Sequence, residues 1–327
     1  MKPRYPARVS LAHLPTPLEK MERLTGYLKG PQLFIKRDDQ TGLALGGNKT
    51  RKLEFLVADA LAQGKNHLIT TGAAHSNHCR QTAAAAASQG LGCTLVLRGQ
   101  PPSGPLTGNL LLDHLLGAEF CWAGERSPEL VMQETAEALL DRGRQPYIVP
   151  LGGSNIIGDT AYVLAMGETM DQLAAAGEMV DVIAVATSSG GTQAGLVLGA
   201  RVYGFQGRIL GISIDQDAEE FKTVITELAE GTAERLGLGA MSLAGDVLIN
   251  DDYLGDGYGV VGDLERRAIN LLASQEGIPL DPVYTGRAMG GLLDLIKQGA
   301  FSRQDRVLFW HTGGTPGLFT YGEQLLL

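Results

Sequence analysis

The sequence predicts an α/β protein made of two open sheets. Short apolar runs alternate with amphipathic stretches along most of the chain, the pattern of parallel strands joined by crossover helices. The chain has 327 residues, 44 glycines, 44% apolar content and 6% aromatics, a composition suited to tight turns and close packing of helices on sheets. Glycine- and hydroxyl-rich segments recur just beyond the apolar runs, where an open α/β sheet presents its ligands.

The elements follow in order. Thr16-Pro17-Leu18-Glu19 reads as a helix start, with a capping threonine, a first-turn proline and an acidic first turn. Residues 33–36 read as a strand that runs into Arg37-Asp38-Asp39. The glycines of Gly46-Gly47-Asn48-Lys49 give a sterically open turn, and Leu53, Leu56, Val57 and Leu61 follow at helical spacing. A helix therefore begins near Asn48 and holds Lys49 at its mouth. Strands at 67–71, 93–97, 118–122 and 147–150 alternate with helices after Ser76, at 110–116 and at 128–140. A long helix over 155–176 breaks the rhythm and reads as a domain connector. Strands at 182–186 and 209–214 resume it, with helices after Gly191 and at 218–236. A short strand at 247–250 leads into a glycine-rich loop, 251–259. Helices at 264–274 and 288–297 then precede a last strand at 307–310.

Charge and composition exclude several function classes. A formal net charge of −9 argues against general nucleic-acid or anionic-membrane binding. No apolar run reaches membrane-spanning length, and the N-terminus leads into polar sequence rather than a signal segment. Cys79, Cys93 and Cys121 are odd in number and lack metal-ligand spacing, which points to a reducing, cytoplasmic setting. A phosphate-loop reading fails: Gly42 and Gly47 have the right gap, but Asn48 occupies the lysine slot.

Several segments remain as candidates. In 71–78, His75, Ser76, Asn77 and His78 follow a strand and open a helix, while a metal site of His75, His78 and Cys79 would lack a partner carboxylate, so no metal is expected. In 187–195, Ser188, Ser189, Gly190, Gly191 and Thr192 expose backbone N–H groups at a helix start, a suitable anion site. Tyr284 and Thr312 lie in two further such segments. Singly, each also fits a bland reading: a solvated lysine, a serine cap, a glycine turn, a structural tyrosine.

Together, GGNKTRKLEFL, SNHCRQTAA, TSSGGTQAGL, LDPVYTGRAMGGL and HTGGTPGLF resemble the D-cysteine desulfhydrase and aminocyclopropane-carboxylate deaminase family. That family belongs to the tryptophan synthase β-like, fold-type-II enzymes, and the resemblance runs from Pro15 to Tyr321. It implies a large domain of residues 1–50 plus 162–327, a small domain of residues 51–161, and an active site in the cleft between them. It further implies pyridoxal 5′-phosphate as cofactor, with Lys49 forming the Schiff base and Lys52 reaching the phosphate. Ser188, Ser189, Gly190, Gly191 and Thr192 would cradle that phosphate, Asn77 would meet the ring's 3′-oxygen, and Thr312 the pyridine nitrogen. Ser76, Asn77, His78 and His75 would face a small amino-acid substrate, and Lys49, Ser76, Tyr258 and Tyr284 would be catalytic.

The reaction so implied is α,β-elimination of D-cysteine to pyruvate, ammonia and hydrogen sulfide, by a homodimer. L-cysteate sulfo-lyase and aminocyclopropane-carboxylate deaminase stand as alternatives. Thr285 and Thr312 occupy positions where the deaminases resemble one another in carrying Glu and Leu. His75 and Arg287 depart from the usual Gln and Lys, and His75 leaves the leaving group and the substrate's handedness open.

Overall fold

The computed structural model describes residues 2–326. The first half runs β1 (Leu18–Lys20), α1 (Glu22–Leu28), β2 (Gln32–Arg37), α2 (Asn48–Ala62), β3 (His67–Gly72), α3 (Asn77–Ser88), β4 (Gly92–Arg98), α4 (Gly108–Leu115), β5 (Glu119–Gly124), α5 (Pro128–Asp141) and β6 (Pro146–Ile148). The second runs α6 (Thr160–Ala176), β7 (Val182–Thr187), α7 (Gly191–Tyr203), β8 (Arg208–Ser213), α8 (Ala218–Arg235), β9 (Leu248–Asn250), α9 (Asp263–Glu276), α10 (Thr285–Lys297) and β10 (Arg306–His311). The strands form two sheets, six-stranded in the order β1-β2-β10-β7-β8-β9 and four-stranded in the order β5-β4-β3-β6. All neighbours pair in parallel except β1 with β2.

Strict alternation sends successive residues of the large sheet to opposite cores. Phe34, Ile183, Val185, Leu308 and Trp310 pack with Tyr162, Leu196 and Phe221 from α6, α7 and α8. Leu33, Ile35, Val182, Val307 and Phe309 pack with Leu272, Met289 and Leu292 from α9 and α10 on the other face. In the small sheet, Leu68, Leu95 and Leu97 pack against Leu53, Leu56 and Val57 of α2 and Ala83 of α3. Strands covered on both faces read as continuous apolar runs, which is why the sequence showed them clearly.

Two expectations are corrected. The Thr16-Pro17-Leu18-Glu19 stretch is not a helix start but enters β1, with Leu18 opposite Lys36 and Lys20 opposite Phe34. The local capping signal loses to long-range bonds: the Thr16 N–H donates to Glu168 Oε1 at 3.1 Å, and the Thr16 carbonyl accepts from Lys36 Nζ at 2.8 Å. The connector helix starts at Thr160, not near 155, because Asn155 Oδ1 accepts from the N–H groups of Ile157 (3.0 Å) and Gly158 (2.9 Å), closing a turn instead.

Directly after β2, the Asp38 carboxylate is fully buried and joins four distant segments. Its Oδ1 accepts from Thr16 Oγ1 (2.9 Å) and Arg51 Nη2 (2.9 Å); its Oδ2 accepts from Tyr162 Oη (2.6 Å) and Trp310 Nε1 (2.8 Å). Burial alone would raise this carboxyl, but the Arg51 and Lys36 charges outweigh it and hold the group below its ordinary range. Removing Arg51 strands a buried charge, so Arg51→Ala should lower unfolding free energy by about 3–5 kcal/mol in a denaturant titration. Because Asp38 titrates lower when folded, its contribution is complete above the unfolded value of about 4 and fades as pH falls through the folded one. Asp38→Asn should therefore flatten the stability profile below pH about 4, and an equally steep acid limb in that variant would contradict the assignment.

Candidate active site

The turn before α2 is built to hold Lys49 in place. Gly42, Ala44, Leu45, Gly46 and Gly47 all have positive φ, between 43° and 130°. A side chain at Gly46 would lie 2.0 Å from the Asp39 carbonyl, so only glycine fits. The Gly47 N–H donates to the Asp38 carbonyl at 3.0 Å, and the Asn48 N–H to the Thr312 carbonyl at 2.9 Å. Asn48 Nδ2 donates to Thr192 Oγ1 at 3.0 Å, clamping the start of α2 to the start of α7.

Lys49 opens on a cavity of about 200 Å³ at the carboxyl ends of strands from both sheets. Of the residues expected from sequence, Ser76, Asn77, His78, Ser188, Ser189, Gly190, Thr192, Tyr258, Tyr284 and Thr312 share that cavity with Lys49. Three do not line it. Lys52 and Gly191 lie just behind the wall, and a side chain at Gly191 would lie 2.7 Å from Lys52 Nζ and 1.9 Å from Asp159 Oδ1. His75 faces the other way, toward Gly108 at the start of α4. Thr285 is also turned away: it is fully buried and donates from Oγ1 to Asp281 Oδ1 at 2.7 Å.

Two helix N-termini converge on the cavity, each bringing unpaired N–H groups and a positive dipole end. At α3, Ser76 Oγ accepts from the Cys79 N–H at 3.2 Å, which leaves its own proton free for a ligand. At α7, Ser189 Oγ and Ser154 Oγ lie 2.8 Å apart, and Lys52 Nζ donates to Ser154 Oγ at 2.9 Å. Lys52 also pairs with the fully buried Asp159 at 3.3 Å. Burial raises that carboxyl to about 6, with Lys52 and Lys49 pulling it back.

Electrostatics favour a reactive amine. Burial, then the Lys52 charge, lowers Lys49 to about 7, so much of it is unprotonated at neutral pH. His78 is held neutral, well below its usual value, by burial and by Lys49 and Lys52. Its Nε2 bonds Thr70 Oγ1 at 2.7 Å, and that hydroxyl donates onward to the Val149 carbonyl at 2.8 Å. Nε2 therefore carries the proton, and the buried Nδ1 is left without a protein partner. Across the cavity the Tyr258 and Tyr284 hydroxyls meet at 2.5 Å. Burial lifts Tyr258 to about 12 and raises Tyr284 well above its ordinary value, so both remain protonated.

Several residues here gave no signal in the sequence. Asp159 and Ser154 come from distant segments, and Arg98, which ends β4, and Asp215, just past β8, line the cavity. Arg287 explains its own departure from lysine. Its guanidinium donates to Glu265 Oε1 (2.6 Å) and to the carbonyls of Ile214 (3.0 Å), Leu254 (2.6 Å), Gly257 (3.1 Å) and Val260 (2.8 Å). It thereby folds the glycine-rich loop that presents Tyr258, a task for a five-donor fork rather than an ammonium.

These geometries make two predictions. Pyridoxal, which carries an aldehyde without a phosphate, should condense with the cofactor-free protein at a rate that climbs through pH about 7. Lys52→Met removes a neighbouring cation and should move that midpoint upward, whereas a wild-type midpoint near 10, the ordinary lysine value, would refute the assignment. Arg287→Lys should cut turnover about tenfold or more, equivalent to ~1.4 kcal/mol, while cofactor affinity stays within about twofold, as read by steady-state kinetics and absorbance titration.

Comparison with known proteins gives the family. The family profile described as "Pyridoxal-phosphate dependent enzyme" matches residues 9–313. A protein of Pyrococcus abyssi named putative 1-aminocyclopropane-1-carboxylate deaminase is 42% identical over 99% of this chain and 96% of its own. The D-cysteine desulfhydrase of Salmonella choleraesuis is 44% identical over 97% of each chain. The solved structure of an ACC deaminase homologue superposes with a TM-score of 0.89 at 39% identity, covering 98% of this chain and 95% of that one. Diaminopropionate ammonia lyase of Escherichia coli, at 16% identity and a TM-score of 0.66 over 96% of this chain and 86% of its own, shares the fold. The chain belongs to the pyridoxal-phosphate-dependent enzymes, a fold-type-II lyase whose cofactor is pyridoxal 5′-phosphate.

Proposed function

We propose that the enzyme eliminates a sulfur leaving group from D-cysteine, releasing pyruvate, ammonia and hydrogen sulfide. The observation that carries this reading is Thr312, a neutral hydroxyl in the cavity wall held by the bond between its carbonyl and the Asn48 N–H. A hydroxyl there would leave the cofactor's ring less fully protonated than a carboxylate would, a milder electron sink that suits a reaction needing only a short-lived carbanion. The 44% identity to a named D-cysteine desulfhydrase points the same way. Thr285, bonded into Asp281, acts through the start of α10 rather than on the ligand.

The residues present fit the cofactor. A side chain on Gly191 would strike Asp159 and Lys52 behind the wall and push the loop out of place, and the N–H groups at the start of α7 would meet the cofactor's phosphate. Asp159 neutralises part of the Lys52 charge, so these amides and the Ser188, Ser189 and Thr192 hydroxyls carry most of the phosphate binding, with Lys52 behind them. Lys49 would hold the cofactor's aldehyde carbon, and Asn77 its 3′-oxygen. When bound, pyridoxal phosphate supplies the electron sink for the carbanion formed at the substrate's α-carbon.

Other steps fall to the protein. Ser76 and the α3 amides orient the substrate carboxylate, beside neutral His78. Lys49 Nζ, its charged form disfavoured by burial and by Lys52, would take the α-proton. The paired Tyr258 and Tyr284 hydroxyls donate a proton to the departing sulfur, and water converts the remaining enamine to pyruvate and ammonia. We take residues 1–50 with 162–327 as the large domain and residues 51–161 as the small one, since the six-stranded and four-stranded sheets draw their strands from those two sets.

A second reading rests on Arg98. This exposed cation at the cavity mouth could meet a sulfonate, as in L-cysteate, whereas His75 points elsewhere. Parallel assays of sulfide from D-cysteine, sulfite from L-cysteate and ammonia from aminocyclopropane carboxylate separate the reactions. D-cysteine should turn over fastest and Lys49→Ala should abolish it. Faster sulfite release that Arg98→Gln removes would establish the cysteate reading instead.

A further inference from the structure

The cavity-lining amide of Asn77 is held from behind. Its Oδ1 accepts from Arg80 Nη1 at 2.9 Å and from Asn109 Nδ2 at 2.9 Å. Because the guanidinium can only donate, the carbonyl end must point inward. Nδ2 is left toward the opposite loop, where a side chain built on Gly314 would lie 2.9 Å from it. Arg80 Nη1 also donates to Asn109 Oδ1 at 2.6 Å and Nη2 to the Gly46 carbonyl at 2.7 Å. One fully buried guanidinium thus joins the Asn77 amide to the turn that carries Lys49.

Every group bonded to Arg80 is neutral, and no carboxylate among the described residues pairs with it. Asp113 and Asp281 act on it only through space. The oxygens of Asp113 have no hydrogen-bond partners among the described residues, and burial raises that carboxyl to about 8, so it is largely protonated at neutral pH. The Asp281 carboxylate is committed to the start of α10, accepting from the N–H groups of Tyr284 (3.0 Å) and Thr285 (2.8 Å). A buried cation without a counter-ion is costly unless the ligand brings the anion.

We propose that Arg80 is a positioning residue which, through Asn77, makes the cavity select an ionised ring oxygen: the 3-oxygen of the cofactor. Arg80 does not touch the cofactor; it fixes the direction of the Asn77 N–H and gives that bond the strength of a charge-assisted one. The inference rests on the placement of Asn77 against that oxygen made above.

The test is equilibrium binding of pyridoxal phosphate and its 3-deoxy analogue, which keeps aldehyde and phosphate, to the full-length cofactor-free protein. Wild type should prefer the natural cofactor by about tenfold or more, the size of a charge-assisted hydrogen bond. Arg80→Gln should remove most of that preference while analogue affinity moves less than about threefold, and should add nothing further in an Asn77→Ala background. Thermal midpoints of the cofactor-free proteins verify folding. Should Arg80→Gln not fold, Asn109→Ala, which frees the guanidinium from its shortest bond, should also lower the preference. An undiminished preference in a folded Arg80→Gln, or in Asn109→Ala when that variant stands in, overturns the proposal. A wild type that binds both compounds equally would instead remove Asn77 from the 3-oxygen, and the proposal with it.

Discussion

The Asp38 carboxylate is the constraint from which the active centre hangs. It sits where β2 ends and draws Thr16, Arg51 of α2, Tyr162 of α6 and Trp310 of β10 onto its two oxygens. Its own carbonyl receives the Gly47 N–H, two residues before Lys49. Arg51 extends the cluster to Glu168, which also receives Lys36. A buried carboxylate so paired is weak evidence for stability in itself. Its value lies in direction, because each partner satisfies it from one side only. The strained turn at 42–47 can then persist, being over-determined by bonds at both ends.

Around that node the enzyme handles its buried cations differently. Arg51 is neutralised by carboxylates, and Arg287 by one carboxylate and a ring of carbonyls. Lys52 is partly offset by Asp159, and Arg80 pairs with no carboxylate among the described residues. The graded series matches distance from the chemistry: structural cations are paired, while those beside the cavity keep charge in reserve for an anionic ligand. Lys49 completes it from the other end, as an amine whose charge is discouraged by burial and by Lys52.

Much of this was legible in the sequence, for identifiable reasons. Strands buried on both faces advertise themselves as apolar runs, and glycine- or serine-started helices mark ligand ends, so Lys49, Ser76, Asn77 and the 188–192 loop stood out. Roles that arise between distant segments were not legible. Asp159 meets Lys52 across more than a hundred residues, with no local pattern to announce the pair. Adjacency also misled: His75 neighbours Ser76 in the chain, yet the turn into α3 points it away. The Thr16-Pro17 cap signal was overridden by pairing with β2, a partner that local propensity does not register.

The placement of β10 bears on how the protein comes into being. The four-stranded sheet uses residues from one unbroken stretch of chain, between His67 and Ile148. It can assemble while synthesis continues. The six-stranded sheet cannot: β10 inserts between β2 and β7, so two early strands wait for the last one. Trp310, one of the donors to Asp38, arrives with it. Until β10 has been synthesised, β2 has an open edge and the lysine turn lacks its full support. The turn that carries Lys49 therefore reaches its final geometry only after β10 has joined the sheet.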